Sequence, residues 1–273
     1  MKKIIAVLFL ATSFLQAQAQ YLEAGLQAGG MFYSGDLSHT VSGTLKETHP
    51  TVGVFVKQNF SDYFALEGHF NYGAISGRDK YAKEEDLLKR DLSFRSNISE
   101  VGLQMEYNIQ GYQPYGMYQP FSPYLFAGVN GTFFNPRTRY NNAWQDLQPL
   151  KTEGEAYKKI AISIPFGVGI KYALNDTYNV GAFFGWRPTF SDHLDDVSTK
   201  YLSKTELIAQ SGALAAELGN KIDAASGTQR GDDRKFDMYH IIGVSISYNF
   251  ADNGLVGLRK ARRGKNGCKQ SLF

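Results

Sequence analysis

The feature that most constrains this chain is an alternation of apolar with polar or small residues that returns along most of its length. In residues 159–172 the apolar set is Ile162, Ile164, Phe166, Val168, Ile170 and Tyr172, and the positions between them include Ser163, Gly167, Gly169 and Lys171. Side chains of a β-strand point alternately to opposite faces, so this period predicts a strand with one apolar face.

Eight segments share this period and predict eight antiparallel strands. They are residues 22–33, 51–60, 63–74, 98–109, 123–134, 159–172, 178–190 and 238–250. Each is long enough to cross a bilayer when tilted, and an even number of strands suits a closed barrel. We therefore expect an all-β fold, an eight-stranded antiparallel transmembrane β-barrel of the OmpA-like up-and-down type.

The connections between these segments alternate in length. Those at 34–50, 75–97, 135–158 and 191–237 are long and polar; those at 61–62 and 173–177 are tight, and 110–122 is intermediate. Long loops on one side and short turns on the other are typical of outer-membrane barrels, with both chain ends in the periplasm. A soluble β-sandwich or a lipocalin-like barrel has the same period and stays as the alternative.

A barrel in lipid must turn its apolar faces outward and close all its backbone hydrogen bonds. The inward face then carries Lys57, Glu67, His69, Gln104, Glu106, Lys171 and Arg187. An eight-stranded interior is only wide enough for its own side chains. We expect these charges to pair into a plug, and no pore. Aromatic residues near the strand ends predict interface girdles: Tyr72, Tyr107, Tyr172, Trp186, Tyr248 and Phe250.

The first residues predict export. Lys2 and Lys3, an apolar run from Ile4 to Leu15 and the small-residue site around Ala19 are typical of a secretory signal peptide, here residues 1–19. The barrel then spans 20–250, and 251–273 form a basic periplasmic C-terminal tail. The formal net charge of +3 does not indicate a nucleic-acid partner, and a single cysteine excludes an internal disulfide framework.

The stretch SDHLDDVSTKY, residues 191–201, has the residue types of a hydrolase or a metal site. It opens the longest predicted loop, where Ser203 and Glu206 form a capping box and predict a short helix over about 204–218. We interpret the stretch as part of a solvated loop, with a divalent-cation site at the rim as a lesser alternative. His240 and Ser245 lie on opposite faces of the last strand, so no Ser–His pair forms there. No catalytic residue, cofactor or metal site is expected, and the protein is not expected to be an enzyme.

The tail is the expected partner-binding site. Arg259, Lys260, Arg262, Arg263 and Lys265 precede Cys268. Basic residues attract acidic protein surfaces, and a lone cysteine in an exported chain indicates an intermolecular disulfide or a free thiol. A disordered basic tail near anionic surfaces is the simpler alternative.

Several long blocks carry a resemblance to a known family. They are DLSFRSNISEVGLQMEYNI (91–109), FSPYLFAGVNGTFFNPRTRY (121–140), WQDLQPLKTEGEAY (144–157), IPFGVGIKY (164–172) and WRPTFSDHLDDVS (186–198). Together they resemble the PorG family, outer-membrane β-barrels of the type IX secretion system. The resemblance covers nearly all of the chain after the signal peptide.

The resemblance implies a non-catalytic part of a protein secretion machine that also serves gliding motility in some bacteria. It implies an integral outer-membrane location and periplasmic contact with a ring of a PorK-like lipoprotein and a PorN-like subunit. Outer-membrane lipids and lipopolysaccharide would be the other partners, and nucleic acid would not. A generic structural or adhesive barrel and, at the far end, a lipid A-modifying barrel enzyme are the alternatives.

Overall fold

The computed structural model describes residues 21–231 and 236–250, which form ten β-strands and four short α-helices. The strands are β1 (Tyr21–Ser34), β2 (His49–Asn59), β3 (Phe64–Arg78), β4 (Ser93–Asn108), β5 (Phe121–Tyr140), β6 (Ala143–Asp146), β7 (Ile160–Ser163), β8 (Phe166–Ala173), β9 (Tyr178–Pro188) and β10 (Met238–Phe250). The helices are α1 (Val41–Lys46), α2 (Glu85–Arg90), α3 (Lys204–Ser211) and α4 (Ala213–Gly219). None of these helices is long and apolar enough to cross a membrane.

The strands close into a ring of eight positions. Each strand pairs antiparallel with its neighbour, and β10 returns to pair with β1, where Leu26 lies opposite Ile246. The predicted eight-stranded barrel is therefore confirmed. One position is shared, because β7 and β8 pair in succession with β5.

The shared position corrects the predicted strand 159–172. That segment is interrupted between Ser163 and Phe166, where Pro165 has no backbone N–H to give to the ladder. The Pro165 carbonyl instead accepts from the Gly128 backbone N–H at 2.8 Å. Strand β6 lies outside the ring and forms a hairpin with the far part of β5, where Tyr140 is opposite Ala143.

The outward face of the ring is apolar and exposed. Its members include Leu26, Val52, Val54, Val56, Val101, Leu103, Leu125, Val129, Val168, Ile170, Val244 and Ile246, and the exposed fraction reaches 62% at Val244. In water, an aliphatic side chain that is fully exposed lacks the stabilisation of about 1.5–3 kcal/mol that its burial would give. A continuous belt of them is stable only against lipid, so the alternative of a soluble sandwich or lipocalin-like barrel is wrong.

The two ends of the barrel differ as predicted. The connections 60–63, 109–120 and 174–177 lie at one end, here called the short-turn end, together with Tyr21 and Phe250. The connections 35–48, 79–92, 141–159 and 189–237 lie at the other, the long-loop end. The predicted helix in the last of these is confirmed, with the Ser203–Glu206 capping box formed. Gly212 divides it into α3 and α4, because its backbone is not helical. Its φ of 88° is one that residues with a Cβ rarely adopt.

The apolar core lies at the long-loop end and not in the middle of the barrel. It joins inward residues of the strands, such as Met31, Ile75 and Ile241, to loop residues such as Leu194 and Leu218. The loops therefore fold down as a packed cap on the barrel, and this cap positions the polar groups described next.

Candidate functional site

The interior of the barrel is crossed by buried charges. Lys57 Nζ lies 2.6 Å from Glu106 Oε1 and 3.1 Å from Glu67 Oε2, and Lys171 Nζ lies 2.9 Å from Glu106 Oε2. Lys57 is on β2 and Lys171 on β8, at opposite sides of the ring, so Glu106 links the two walls. Buried charges are tolerated only when they are paired in this way.

A second group of contacts surrounds Glu100, closer to the cap. Its carboxylate accepts from His69 Nε2 at 3.1 Å, from Asn71 Nδ2 at 2.9 Å and from Arg187 Nε at 2.8 Å. The Tyr239 hydroxyl donates to the same carboxylate. Donors from three strands, β3, β9 and β10, thus converge on one side chain of β4 and connect these strands across the lumen.

The space left inside is too small for a channel. The cavity between the two charged groups, lined by residues such as Gln27, Gln104 and Arg187, measures about 20 Å³. That volume is sufficient for about one water molecule. The predicted plug of paired inward charges is confirmed for Lys57, Glu67, His69, Gln104, Glu106, Lys171 and Arg187.

At the long-loop end, the 141–159 connection and the last long connection contact each other through hydrogen bonds and an ion pair. The Thr152 hydroxyl donates to Asp196 Oδ2 at 2.5 Å, and the Tyr157 hydroxyl donates to Asp196 Oδ1 at 2.6 Å. Glu153 accepts from Arg230 Nη1 at 2.6 Å and from the Ser198 backbone N–H at 2.8 Å. We call Thr152, Glu153, Tyr157, Asp196 and Arg230 the loop clasp.

The electrostatics of the loop clasp are set by burial and by Arg230. Burial raises the pKa of Asp196 to about 6, although Arg230 and the two hydroxyl donors act in the opposite direction. Burial also opposes ionisation of Glu153, but there Arg230 and the backbone donors prevail and lower the pKa. The clasp therefore contains one carboxylate, Glu153, whose ionised form is favoured, and another, Asp196, that titrates in the mildly acidic range.

A second buried group in the cap contains two carboxylates. The Tyr33 hydroxyl lies 2.8 Å from Asp195 Oδ2 and also contacts Asp237 Oδ1. A phenol has one proton to donate, so it serves one carboxylate, and a proton on the other must complete the second bond. Burial raises the pKa of both Asp195 and Asp237, with the mutual repulsion of the pair and nearby Asp36 adding to the shift of Asp195.

A third contact ties the remaining long loops into the cap. Arg90 donates to Asp79 through Nε at 2.8 Å and Nη2 at 2.7 Å, and it also donates to the Arg230 carbonyl. His39 Nε2 lies 2.9 Å from the same Asp79. Despite burial, these donors lower the pKa of Asp79. The 35–48 and 79–92 connections are thereby held to Arg230 of the loop clasp.

These contacts overturn the interpretation of SDHLDDVSTKY as a solvated stretch. Leu194, Asp195, Asp196, Val197 and Ser198 are all buried. In the fold, Asp195 accepts from the Val197 backbone N–H of its own loop and contacts the Tyr33 hydroxyl on β1, while Asp196 accepts from two hydroxyls of the 141–159 connection. The residue types that suggested chemistry serve packing.

The same stretch contains no arrangement suited to nucleophilic catalysis. The His193 ring packs against Tyr157, with centroids 4.5 Å apart, while Ser191 Oγ accepts from the His193 backbone N–H, at 3.3 Å, and not from its ring. Over residues 21–231 and 236–250, no group of three or more His, Cys, Asp or Glu side chains is placed to hold a metal ion. The His240 ring packs against the rings of Phe32 and Phe184, 4.8 and 6.0 Å from their centroids.

The predicted partner-binding residues lie outside the described part of the chain. These residues are Arg259, Lys260, Arg262, Arg263, Lys265 and Cys268. The predicted signal peptide, residues 1–19, also lies outside the described part. Strand β10 ends at Phe250, opposite Leu22, so the chain leaves the barrel from the short-turn end. At that end the Tyr112 hydroxyl donates to Asn179 Oδ1 at 2.7 Å and fixes the 109–120 connection against the barrel mouth.

Two sets of residues were missed by the sequence reasoning, and they differ in whether a signal existed. Glu100 has the same parity as Gly102, Gln104 and Glu106, so the period-two pattern already placed it inside. The contacts of Asp195, Asp237 and Arg230 had no such signal, because loop residues follow no period. They are brought together only by the folding of the cap.

A closed ring with an apolar belt, a plugged polar interior and capped long loops defines a small transmembrane β-barrel. The family model described as "Domain of unknown function (DUF6089)" matches residues 2–213, and the chain belongs to this family. No curated protein matches the chain.

Solved outer-membrane proteins have a similar fold at low identity. The outer membrane protein OprG from Pseudomonas aeruginosa is 13% identical over 86% of this chain and 97% of that chain, with a TM-score of 0.41. Ail of Yersinia pestis, solved with the heparin analogue sucrose octasulfate, is 9% identical over 85% and 97%, with a TM-score of 0.39. Neisserial surface protein A is 10% identical over 85% and 97%, also with a TM-score of 0.39.

Proposed function

We propose that this barrel is a non-catalytic outer-membrane component of the type IX protein secretion machinery, and of gliding motility in hosts that glide. In this role it resembles the PorG family and docks a periplasmic ring of PorK-like and PorN-like subunits. Its long-loop end faces the outside of the cell and its short-turn end faces the periplasm.

The plugged lumen is the observation that carries the proposal. Glu106 bridges Lys57 and Lys171 across the barrel, and the cavity beside them has room for about one water molecule. A barrel of this kind cannot conduct a polypeptide, so a role in secretion must come from its surfaces. Docking of other subunits is such a role.

The blocks that carry the resemblance support the proposal in a second way. LKTEGEAY contributes Thr152, Glu153 and Tyr157 to the loop clasp, and SDHLDDVS contributes Asp196 and the Ser198 backbone N–H. These two distant blocks contact each other and fold as one unit. The resemblance in these two blocks therefore concerns a single folded cap and not two independent loops.

The docking surface proposed for the ring is the short-turn end. Two of its three connections are tight turns, so the barrel itself presents little surface there. The 109–120 connection exposes Tyr118, of which 81% is accessible, and residues 251–273 follow β10 from the same end. The ring is therefore proposed to bind Tyr118 and the basic residues Arg259, Lys260, Arg262, Arg263 and Lys265. Cys268 would add an intermolecular disulfide, which persists in an oxidising compartment.

The test is affinity purification from detergent-solubilised outer membranes of the native host. The full chain is compared with a chain ending at Phe250 and with Cys268→Ser, and heat-modifiable gel migration verifies that each barrel is folded. We expect ring subunits to co-purify with the full chain, to be lost from the truncated chain, and to be retained but weakened with Cys268→Ser, because the basic contacts remain.

Removal of two charges at the long-loop end, Lys83→Gln with Lys200→Gln, is the matched control and should leave co-purification unchanged. A full chain that fractionates with the outer membrane but brings down no ring subunit, with secretion intact in its absence, would contradict the secretion role. A generic structural or adhesive barrel would then account for the fold.

A further inference from the structure

Two arginines face each other on the outside of the barrel at the long-loop end. Arg95 on β4 and Arg137 on β5 are direct cross-strand partners. Arg95 is exposed while its neighbours Phe94 and Ser96 are buried, so it points outward. Like charges directly opposite each other destabilise a sheet, so this pair costs stability unless an anion lies between the two side chains.

The surrounding carboxylates neutralise only part of this charge. Arg137 Nε is 2.7 Å from Asp146, whereas the Arg139 guanidinium lies over the Trp144 ring, 5.8 Å from its centroid. Within the described residues, no ion pair involves Arg95 or Arg139. Lys158 is also exposed and precedes β7, which pairs with β5. We call Arg95, Arg137, Arg139 and Lys158 the arginine patch.

The patch lies directly above the apolar belt. Phe133, which is 47% exposed, is among the last outward apolar residues of β5, and Val101 is an exposed apolar residue of β4, opposite Gly131. Arg137 follows Phe133 by four residues, about 13 Å along the strand or roughly 10 Å along the membrane normal at a tilt of about 40°. This is the level of the lipid headgroups, and not of the hydrocarbon or of bulk solvent.

We propose that the arginine patch binds the phosphate group of a lipid A molecule in the outer leaflet. Guanidinium groups bind phosphate oxygens in a bidentate manner, and the patch has four cationic groups against the one carboxylate that pairs with Arg137, so its charge matches that of a phosphate group. The acyl chains of the same lipid would lie along the belt below, next to Phe133 and Val101. The inference rests on the proposed outer-membrane location, which supplies a phosphorylated lipid at this height.

The experiment is a titration of fluorescently labelled diphosphoryl lipid A into the full chain in phosphate-free detergent micelles, with binding followed by anisotropy. We expect Arg95→Gln with Arg139→Gln to weaken binding at least about tenfold, because two charge-assisted contacts are lost. Lys83→Gln with Lys200→Gln removes the same charge from exposed positions farther out in the loops and should change affinity less than about twofold. Heat-modifiable migration verifies folding of each variant.

Two further arms identify the ligand group. Dephosphorylated lipid A should bind the wild-type chain as weakly as diphosphoryl lipid A binds the double arginine variant, and inorganic phosphate should fail to displace the labelled lipid. Displacement by inorganic phosphate at low concentration would assign the patch to free phosphate and overturn the lipid proposal. Equal binding by the wild type and the double arginine variant would overturn the site altogether. Either result is separable from failure of the secretion role, which is measured by ring co-purification.

Discussion

Lys171 on β8 and Lys57 on β2 reach the same carboxylate, that of Glu106 on β4, from opposite sides of the barrel. Lys171 Nζ is 2.9 Å from one oxygen and Lys57 Nζ is 2.6 Å from the other. Lys57 in addition pairs with Glu67 at 3.1 Å. The two lysines therefore have unequal numbers of acidic partners, and this difference can be measured.

We expect Lys57→Met to destabilise the barrel by about 3–5 kcal/mol, because two buried carboxylates lose a partner, and Lys171→Met to cost less because Glu106 keeps Lys57. Urea unfolding of the barrel in phospholipid vesicles measures both. Lys204→Met, at a lysine that is part-exposed and pairs loosely with Asp223 at 3.8 Å, is the control and should cost little. A larger loss for Lys171→Met than for Lys57→Met would contradict the geometry of the plug.

Val168 and Gly167 are neighbours on β8 that face opposite sides of the wall. Val168 is 45% exposed on the lipid-facing belt, so Val168→Arg should cost about 2–4 kcal/mol near the middle of the membrane. Val168→Leu, which keeps the surface apolar, is the matched control and should fold normally. The fraction of folded, heat-modifiable protein after refolding into vesicles reports the result, and equal folding of Val168→Arg and Val168→Leu would show that β8 is not lipid-facing there.

Gly167→Ser should also impair folding, for a different reason. A Cβ at Gly167 would lie 2.2 Å from the Phe184 carbonyl oxygen and 2.5 Å from the Phe126 ring. Because the backbone of β9 cannot yield as a flexible side chain would, we expect a loss of folded yield on the same gels. Gly131→Ser, on the outward face where the nearest atom to an added Cβ is 3.9 Å away, is the control. Normal folding of Gly167→Ser would show that the lumen is looser than the packing of Phe126 implies.

The loop clasp should control the cap without controlling the barrel. Arg230→Met removes the 2.6 Å contact to Glu153 and leaves that buried carboxylate without a cationic partner, with only the Ser198 and Thr199 backbone N–H groups and the Thr199 hydroxyl as donors. We expect new protease cuts within 189–231 while heat-modifiable migration of the barrel persists. Lys200→Met, at an exposed lysine of the same loop, is the comparison. A loss of barrel folding with Arg230→Met would show that cap and barrel are one cooperative unit.

The cap should become less stable as the pH rises. Burial raises the pKa of Asp196 to about 6 and raises that of Asp195 and Asp237 well above the usual range. A carboxyl group with a raised pKa in the folded state favours folding at low pH, and that contribution is lost as the pH rises through the folded-state value. Glu153, whose pKa is lowered, has the opposite effect: its contribution to cap stability is lost as the pH falls, and this occurs only in the acidic range.

Limited proteolysis of the cap at several pH values, normalised to protease activity on a free peptide, tests this expectation. We expect cleavage in 189–231 to accelerate from about pH 5 to pH 8, and Asp195→Asn to reduce that acceleration because one member of the pair no longer ionises. Asp223→Asn, whose side chain is 75% exposed, should follow the wild type. A cleavage rate that is independent of pH would contradict the shared proton among Tyr33, Asp195 and Asp237.

The sequence by itself determined the barrel, because a strand in a closed sheet has only two faces and lipid accepts only one kind of side chain. Period two placed Val168 outside and Lys57, Glu106 and Lys171 inside, and loop lengths separated the two ends. Even Glu100 followed from parity. The break at Pro165 was also available, since proline cannot give an N–H to the ladder.

Only the tertiary structure decided what the polar residues do. Periodicity predicts that Lys57 points into the barrel. It does not predict that Lys57 and Lys171 bind the same Glu106 carboxylate, because that contact depends on strand register and stagger. Asp195 and Asp196 belong to a loop without any period, and their burial results from Tyr33, Thr152 and Tyr157, which are distant in sequence. A loop rich in aspartate is therefore predicted from its sequence to be solvated. The contacts that bury it exist only in the folded cap.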